Sequence, residues 1–335
     1  LKPKLLVIEL WGMGDLVIAS PFLQAASEKY DVTLLAKPYA RDLQPRFWPN
    51  VKVVTFIAPW TAFEHKYMGV PYNLLIWPWA KMFRLWRQMR AEKFDFGLSA
   101  RWYGSVRSAG DPRDHVLLWL FRVKTRLGFP RLGSQIFLSK SLKAPEPKAH
   151  RYENWRVMGL ALGLDLPPRE KLRLPHATPH GDILLHTGAG QPVRVWPLER
   201  YRNVVNRLRA KGFRVQIACD PDQESWWRAA GEQNVAVPRG SALIALTEKA
   251  GAFIGNDSGP GNLAAFCGVP TFTIFGPQLP DWFAPLHPAS EWLDGKACPY
   301  KPCSDYCRFP VPYCMNSSEE EVYKRVEAFV TRTLV

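Results

Sequence analysis

The chain has 335 residues, 47% of them hydrophobic, with 44 Lys+Arg against 30 Asp+Glu, 30 Pro and 14 Trp. This composition excludes a disordered chain, a collagen, a coiled coil and a small disulfide scaffold, and the length predicts two domains that each bury a core. The charge is lopsided: residues 1–175 hold 28 Lys+Arg and 14 Asp+Glu, whereas residues 176–335 hold 16 of each, so the first half is expected to meet an anionic partner, namely phosphorylated lipid, membrane surface or nucleic acid.

Residues 5–10 form an apolar run broken only by Glu9. The run is too short for a secretory segment and lacks a small-residue cleavage site, so it reads as a first strand and implies the cytoplasm, where thiols stay reduced. A glycine turn through Gly12 and Gly14 leads to Asp15 and a helix over residues 16–30, the opening of a βαβ unit. Strands are predicted at 32–36 and 51–57. The best apolar stretch, 74–86, is broken by Pro78, Lys81 and Arg84, so no bilayer span is expected. A helix over 79–93 places Trp79, Met82, Phe83, Trp86 and Met89 on one face and Lys81, Arg84, Arg87 and Gln88 largely on another. That pattern fits an interfacial helix or an ordinary packed helix with a solvated basic face. A strand at 94–99 follows, and a proline-rich passage over 166–179 reads as a linker. The βα rhythm then restarts, with strands at 183–187, 214–218, 252–255 and 271–275, helical segments at 198–211 and 263–266, and a last helix at 318–333 with Ser318 as N-cap.

The glycine motifs narrow the chemistry. Gly12 and Gly14 lack the third glycine of a dinucleotide fingerprint, as do Gly188 and Gly190, and no P-loop is present. Residues 255–262, Gly-Asn-Asp-Ser-Gly-Pro-Gly-Asn, join a buried strand to a helix whose unpaired N–H groups form a diphosphate cradle. There Asp257 either accepts from sugar hydroxyls or bonds its own backbone. Asp15, at the C-terminal edge of the first strand, is a general base or a helix N-cap. Asp220-Pro221-Asp222 reads as the loop after a strand. Cys298, Cys303, Cys307 and Cys314 fit a Zn²⁺ or iron–sulfur site or a set of free thiols, since their spacing matches no standard ribbon.

Together these residues resemble glycosyltransferase family 9, the ADP-heptose:lipopolysaccharide heptosyltransferases. The resemblance runs collinearly through Gly14-Asp15, Lys93-Phe94-Asp95, Arg126-Leu127-Gly128-Phe129, His150 with Asn154, His186-Thr187-Gly188-Ala189-Gly190, Arg194-Val195-Trp196-Pro197, Asp257-Ser258-Gly259 and Phe275-Gly276-Pro277. It implies an α/β fold of GT-B type, two Rossmann-like parallel-sheet domains facing a cleft: an acceptor-binding domain over 1–170, a nucleotide-sugar domain over 176–317, and a helix over 318–335 packing back on the first. It implies Asp15 as catalytic base and Gly14, Thr187, Arg194, Glu224, Asp257, Ser258, Gly259 and Asn262 at the donor, with Asp222 a rival for the place of Glu224. Two positions depart from the family pattern: Glu9 stands where a basic residue is usual, and Asn262 where a histidine is usual.

The expected function is inverting transfer of heptose, or a related sugar, from a nucleoside diphosphate, ADP-heptose first, to the lipopolysaccharide inner core. No cofactor is expected to be required, and the expected site of work is the inner face of the cytoplasmic membrane by peripheral contact. The alternatives are a family 9 transferase using another sugar nucleotide and a non-catalytic nucleotide-sugar or glycan-binding protein. Nucleic acid is not an expected partner, because no nucleic-acid motif accompanies the basic half.

Overall fold

In the computed structural model the opening apolar run is strand β1 (Lys4–Glu9), buried from residue 5 onward, as a strand covered on both faces requires. The model describes residues 1–61, 77–101, 110–172, 174, 181–303 and 307–334. Residues 173 and 175–180 of the expected linker lie outside the described residues. The chain divides into two compact units, Leu1–Pro168 and Arg169–Val335.

The first unit continues with α1 (Met13–Ile18), α2 (Ser20–Lys29), β2 (Asp31–Ala36), α3 (Ala40–Phe47), β3 (Lys52–Thr55), α4 (Trp79–Glu92), β4 (Phe96–Leu98), α5 (Pro112–Leu120), β5 (Thr125–Gly128), β6 (Lys140–Ser141) and α6 (Arg151–Ala161). The single helix expected over 16–30 is two helices, because Pro21 in the first turn of α2 has no N–H to give to the turn before it. Its parallel sheet has the order β3-β2-β1-β4-β5-β6. The order reverses between β1 and β4, which is where open α/β sheets place ligands. Helix α4 divides its apolar face. Leu85 and Met89 are buried, Met82 and Trp86 pack against the same core, and Trp79 and Phe83 remain 53% and 57% exposed beside exposed Lys81, Arg84 and Arg87.

The second unit comprises β7 (Asp182–His186), α7 (Leu198–Ala210), β8 (Val215–Ala218), α8 (Glu224–Ala229), α9 (Ser241–Glu248), β9 (Ala250–Asn256), α10 (Gly259–Phe266), β10 (Thr271–Phe275), α11 (Pro280–Phe283), β11 (Glu291–Asp294) and α12 (Glu319–Leu334). Its parallel sheet runs β11-β10-β9-β7-β8. The reversal point here lies between β7 and β9, so Thr187 and Asp257 leave the sheet side by side.

The expectation that the last helix returns to the first unit is corrected. Helix α12 packs on α7, β9 and β11, and Val322, Tyr323, Val326, Phe329 and Val330 belong to the second unit's core. The reason is the sequence of α12 itself: its apolar residues recur at helical spacing and fill one stripe, which Phe272 meets at Phe329, ring centroids 5.7 Å apart. Phe329→Ala is therefore expected to destabilise the second unit by about 3–5 kcal/mol, measured by urea unfolding; a loss under about 1 kcal/mol would mean that the helix is not part of that core.

Candidate active site

In the first unit, β1 ends in Glu9 and the turn through Gly12 starts α1, which carries Gly14 and Asp15 in its first turn. The Asp15 carboxylate is held from two sides: Oδ2 accepts from the Gly12 N–H at 3.2 Å, and Oδ1 accepts from Arg101 Nη1 at 3.0 Å. The N-cap of α1 is Gly12 rather than Asp15, which sits at the third helical position and bonds back to the cap, partly exposed beside a guanidinium. Arg101 lies over the Trp11 ring, 4.2 Å from its centroid. A depression in this unit is lined by Glu9, Asp15, Ala100, Arg101, Arg151 and Asn154.

The charges around this depression act on one another. Glu9 is 4% exposed and accepts from the Trp11 N–H at 3.2 Å. Burial first, and then the Asp15 carboxylate, push its carboxyl up to about 8. Burial, aided by Arg101, lowers the Arg151 guanidinium to about 9. Asn154 anchors the far wall by donating to the Ala100 carbonyl at 3.1 Å. A carboxyl that holds its proton more tightly when folded adds stability below its ordinary value of 4.5 and loses it as pH rises through about 8. Glu9→Gln is accordingly expected to flatten the fall in the first unit's stability over that window, read from urea midpoints. An unchanged slope would place the titrating proton elsewhere.

In the second unit, Arg194 follows the glycine turn after β7, and its Nη1 stands 3.3 Å from Asp257 Oδ2, with the Asp257 side chain 5% exposed. Ser258 is the N-cap of α10, with Pro260 in the first turn. Its buried hydroxyl has no hydrogen-bond partner among the described residues, and neither does Asn262 Oδ1; Asn262 Nδ2 donates to the Ser258 carbonyl at 3.2 Å. The start of α10 therefore offers helix N-terminal N–H groups, a free hydroxyl and a free amide oxygen beside a cation–anion pair whose carboxylate is buried. Such a surface suits a ligand with phosphate and hydroxyl groups.

Thr187 is placed differently. Its side chain is fully buried; the hydroxyl donates to Gln223 Oε1 at 2.8 Å and accepts from Trp227 Nε1 at 3.1 Å. Its proton and one of its two acceptor sites are engaged inside the unit, where they hold the turn. Asn256 extends this anchorage. It donates to the Thr187 carbonyl at 2.8 Å and accepts from the Trp196 N–H at 3.0 Å and the Tyr201 hydroxyl at 2.8 Å. A Cβ on Gly188 would lie 2.3 Å from the Asp220 carboxyl, so only glycine allows that approach. Asp220 thus acts as the loop acid expected of it. His186 Nδ1 accepts from the Gly188 N–H at 3.2 Å, and burial lowers the ring to about 4, which keeps it neutral. Glu224 opens α8 and pairs with Arg228 at 2.8 Å on the surface; Asp222, its rival, is exposed in the preceding turn.

Sequence reading missed Arg101 and Arg151. Arg101 follows the last residues of a predicted strand, and the rule that ligands gather beyond strand C-termini was enough to find it. Arg151 opens a helix and carries no local signal.

Comparison with known proteins adds an independent line. A family model described as glycosyltransferase family 9 (heptosyltransferase) matches residues 82–307. Lipopolysaccharide heptosyltransferase 1 of Pseudomonas aeruginosa is 32% identical over 127 residues, a match spanning 36% of this chain and only 35% of that relative's length. Two solved structures share the two-unit α/β architecture. The family 9 glycosyltransferase of Veillonella parvula superposes with a TM-score of 0.72 at 17% identity, covering 99% of this chain and 98% of its own. The E. coli heptosyltransferase WaaC with ADP gives 0.68 at 16% identity, covering 97% and 99%.

Proposed function

The chain belongs to glycosyltransferase family 9 (heptosyltransferase), and on that premise we propose that it transfers heptose from ADP-heptose to the inner core of lipopolysaccharide, with inversion at the anomeric carbon. The observation that carries the donor half of this reading is the part-buried Arg194–Asp257 pair at the start of α10. Arg194 and the N-terminal N–H groups of α10 neutralise the diphosphate as the bond to the sugar breaks, and Asp257, Ser258 and Asn262 receive sugar hydroxyls. Charge neutralisation by these groups requires no cofactor in this reading. That a solved relative was studied with ADP supports the adenine donor.

The acceptor half rests on the first unit. Asp15 takes the proton of the acceptor hydroxyl while its oxygen attacks the anomeric carbon, and ADP leaves from the opposite face with the bonding electron pair. Arg101 holds the carboxylate in line. The excess positive charge of residues 1–175 suits a phosphorylated core. No helix among the described residues is long and apolar enough to cross a membrane, and exposed Trp79 and Phe83 beside Lys81, Arg84 and Arg87 suit peripheral contact at the inner face of the cytoplasmic membrane.

The test is to offer the purified protein a panel of sugar nucleotides with deacylated lipopolysaccharide core and to follow the mass of the acceptor. A gain of one heptose with ADP-heptose is expected. A gain with a different sugar would shift the donor, as the replacement of histidine by Asn262 would allow; no gain with any donor, despite donor binding, would favour a non-catalytic binding protein.

A further inference from the structure

The first unit carries a second exposed apolar surface, outside the residues used above. Trp119 and Leu120 at the end of α5 are 51% and 38% exposed, and Leu132 and Ile136 in the loop between β5 and β6 are 84% and 75% exposed. The loop lies against the helix: Ser134 Oγ bonds His115 Nδ1 at 2.8 Å, and one helical turn further on Trp119 meets Phe137, ring centroids 5.7 Å apart. The tip of the loop is a tight turn. The Ser134 N–H donates to the Arg131 carbonyl at 2.9 Å, the Arg131 N–H donates to Ser134 Oγ at 3.0 Å, and Leu132 and Gly133 between them have φ of +49° and +79°. Glycine takes that left-handed conformation readily, whereas leucine is strained in it. A strained turn that holds a leucine out in solvent gains no burial within the unit, which points to a partner outside it.

The charge along this stretch is of one sign. Residues 115–143 hold six Lys+Arg and no Asp or Glu. Lys124 is taken up by Asp95 at 2.7 Å, and Arg126 by the Val123 and Phe137 carbonyls at 2.7 Å each; Arg122, Lys140 and Lys143, which flank the helix end and the loop, are exposed. Apolar tips among cations fit the boundary between anionic headgroups and acyl chains, where leucine, isoleucine and tryptophan leave water while long basic side chains reach phosphates. Given the peripheral membrane reading above, on which this rests, we propose that the end of α5 and the 131–137 loop dock on an anionic lipid bilayer, as a second contact besides that of Trp79 and Phe83. Helices α4 and α5 bury Leu85, Met89, Leu117 and Leu118 in one core cluster, so both cover the same face of the sheet. Two contacts on that layer restrict the tilt of the unit on a membrane more than one helix does.

The test is co-sedimentation of the full chain, without donor or acceptor, with vesicles of phosphatidylcholine alone and of equal parts phosphatidylcholine and phosphatidylglycerol. Binding to the anionic vesicles is expected, weakened about tenfold by Leu132→Ser with Ile136→Ser and about tenfold by Arg122→Gln with Lys140→Gln. Trp79→Ser with Phe83→Ser should weaken it by a factor of its own, and the two apolar pairs combined should multiply. Because Leu132 and Ile136 face solvent, their variant should keep the urea midpoint of the unaltered chain. Should it fail to fold, hydrogen exchange on the unaltered chain decides, with the amides of residues 131–137 expected to slow about fivefold on adding anionic vesicles. Transfer to deacylated core should be unchanged in the Leu132 and Ile136 variant, so docking and transfer are read separately. Full binding by that variant, with loss in the Trp79 and Phe83 variant, would overturn the second contact and leave that of α4 standing. Equal binding to both vesicle types, exchange unaffected by vesicles, or a lipid-free dimer that the Leu132 and Ile136 changes dissociate would also overturn it, and no binding of the unaltered chain to either vesicle would overturn both contacts.

Discussion

Replacing Asp15 by asparagine is expected to lower kcat by about 10²–10⁴-fold while donor affinity stays within about twofold. The amide matches the carboxylate in shape and can still accept from the Gly12 N–H, so α1 keeps its start. What it cannot do is remove a proton from a hydroxyl. It also leaves the Arg101 guanidinium without its anionic partner, so Asp15→Asn should be read beside Arg101→Ala. If Asp15 is the base and Arg101 only orients it, the Arg101 variant retains a larger share of activity. Donor affinity, measured by calorimetry with ADP, is the control because the groups proposed to hold the diphosphate lie on the second unit. An Asp15→Asn protein with unchanged kcat would sink the assignment.

Arg194→Ala is expected to have the second large effect, about 10²–10³-fold, and mainly on kcat, because the guanidinium is proposed to meet charge that develops as the sugar–phosphate bond breaks. The substitution has a structural cost as well. Asp257, buried in its side chain, loses the cation 3.3 Å away, and the second unit should be destabilised by about 1–3 kcal/mol. Arg194→Lys separates the two contributions. A lysine restores the charge but not the planar fork, so it should recover stability more fully than rate. If Arg194→Ala unfolded the unit at assay temperature, the lysine variant would still report on catalysis. Equal kcat in all three proteins would remove Arg194 from the reaction.

Much of the fold was legible because its signals are local. The apolar run ending at Glu9, the glycine turn and the helix carrying Asp15 lie within a few residues of one another, and so do the strand, turn and helix around Asp257. Periodicity and capping rules read such segments directly. What sequence patterns leave out shares a cause in sequence distance. The partners that engage the Thr187 hydroxyl lie 36 and 40 residues away, and Arg101 reaches Asp15 across 86. No pattern along the chain announces such meetings; they follow only from strand order. Helix α12 was placed on the wrong unit for a related reason. Its apolar stripe predicts burial but does not name the surface that receives it. The division within α4, whose Leu85 and Met89 face the core while Trp79 and Phe83 do not, likewise depends on how far the helix leans over the sheet.

Asn256 has a consequence for how this protein can change over evolutionary time. One amide ties the turn after β7, the backbone at Trp196 and the helix containing Tyr201, so these pieces cannot be re-angled one by one. A lineage drifting towards a new donor would be held at Asn256 and left freer at Asn262, whose buried amide oxygen has no hydrogen-bond partner among the described residues, and at surface Glu224. Divergence in sugar preference should therefore accumulate in those side chains while the frame that Asn256 ties together persists.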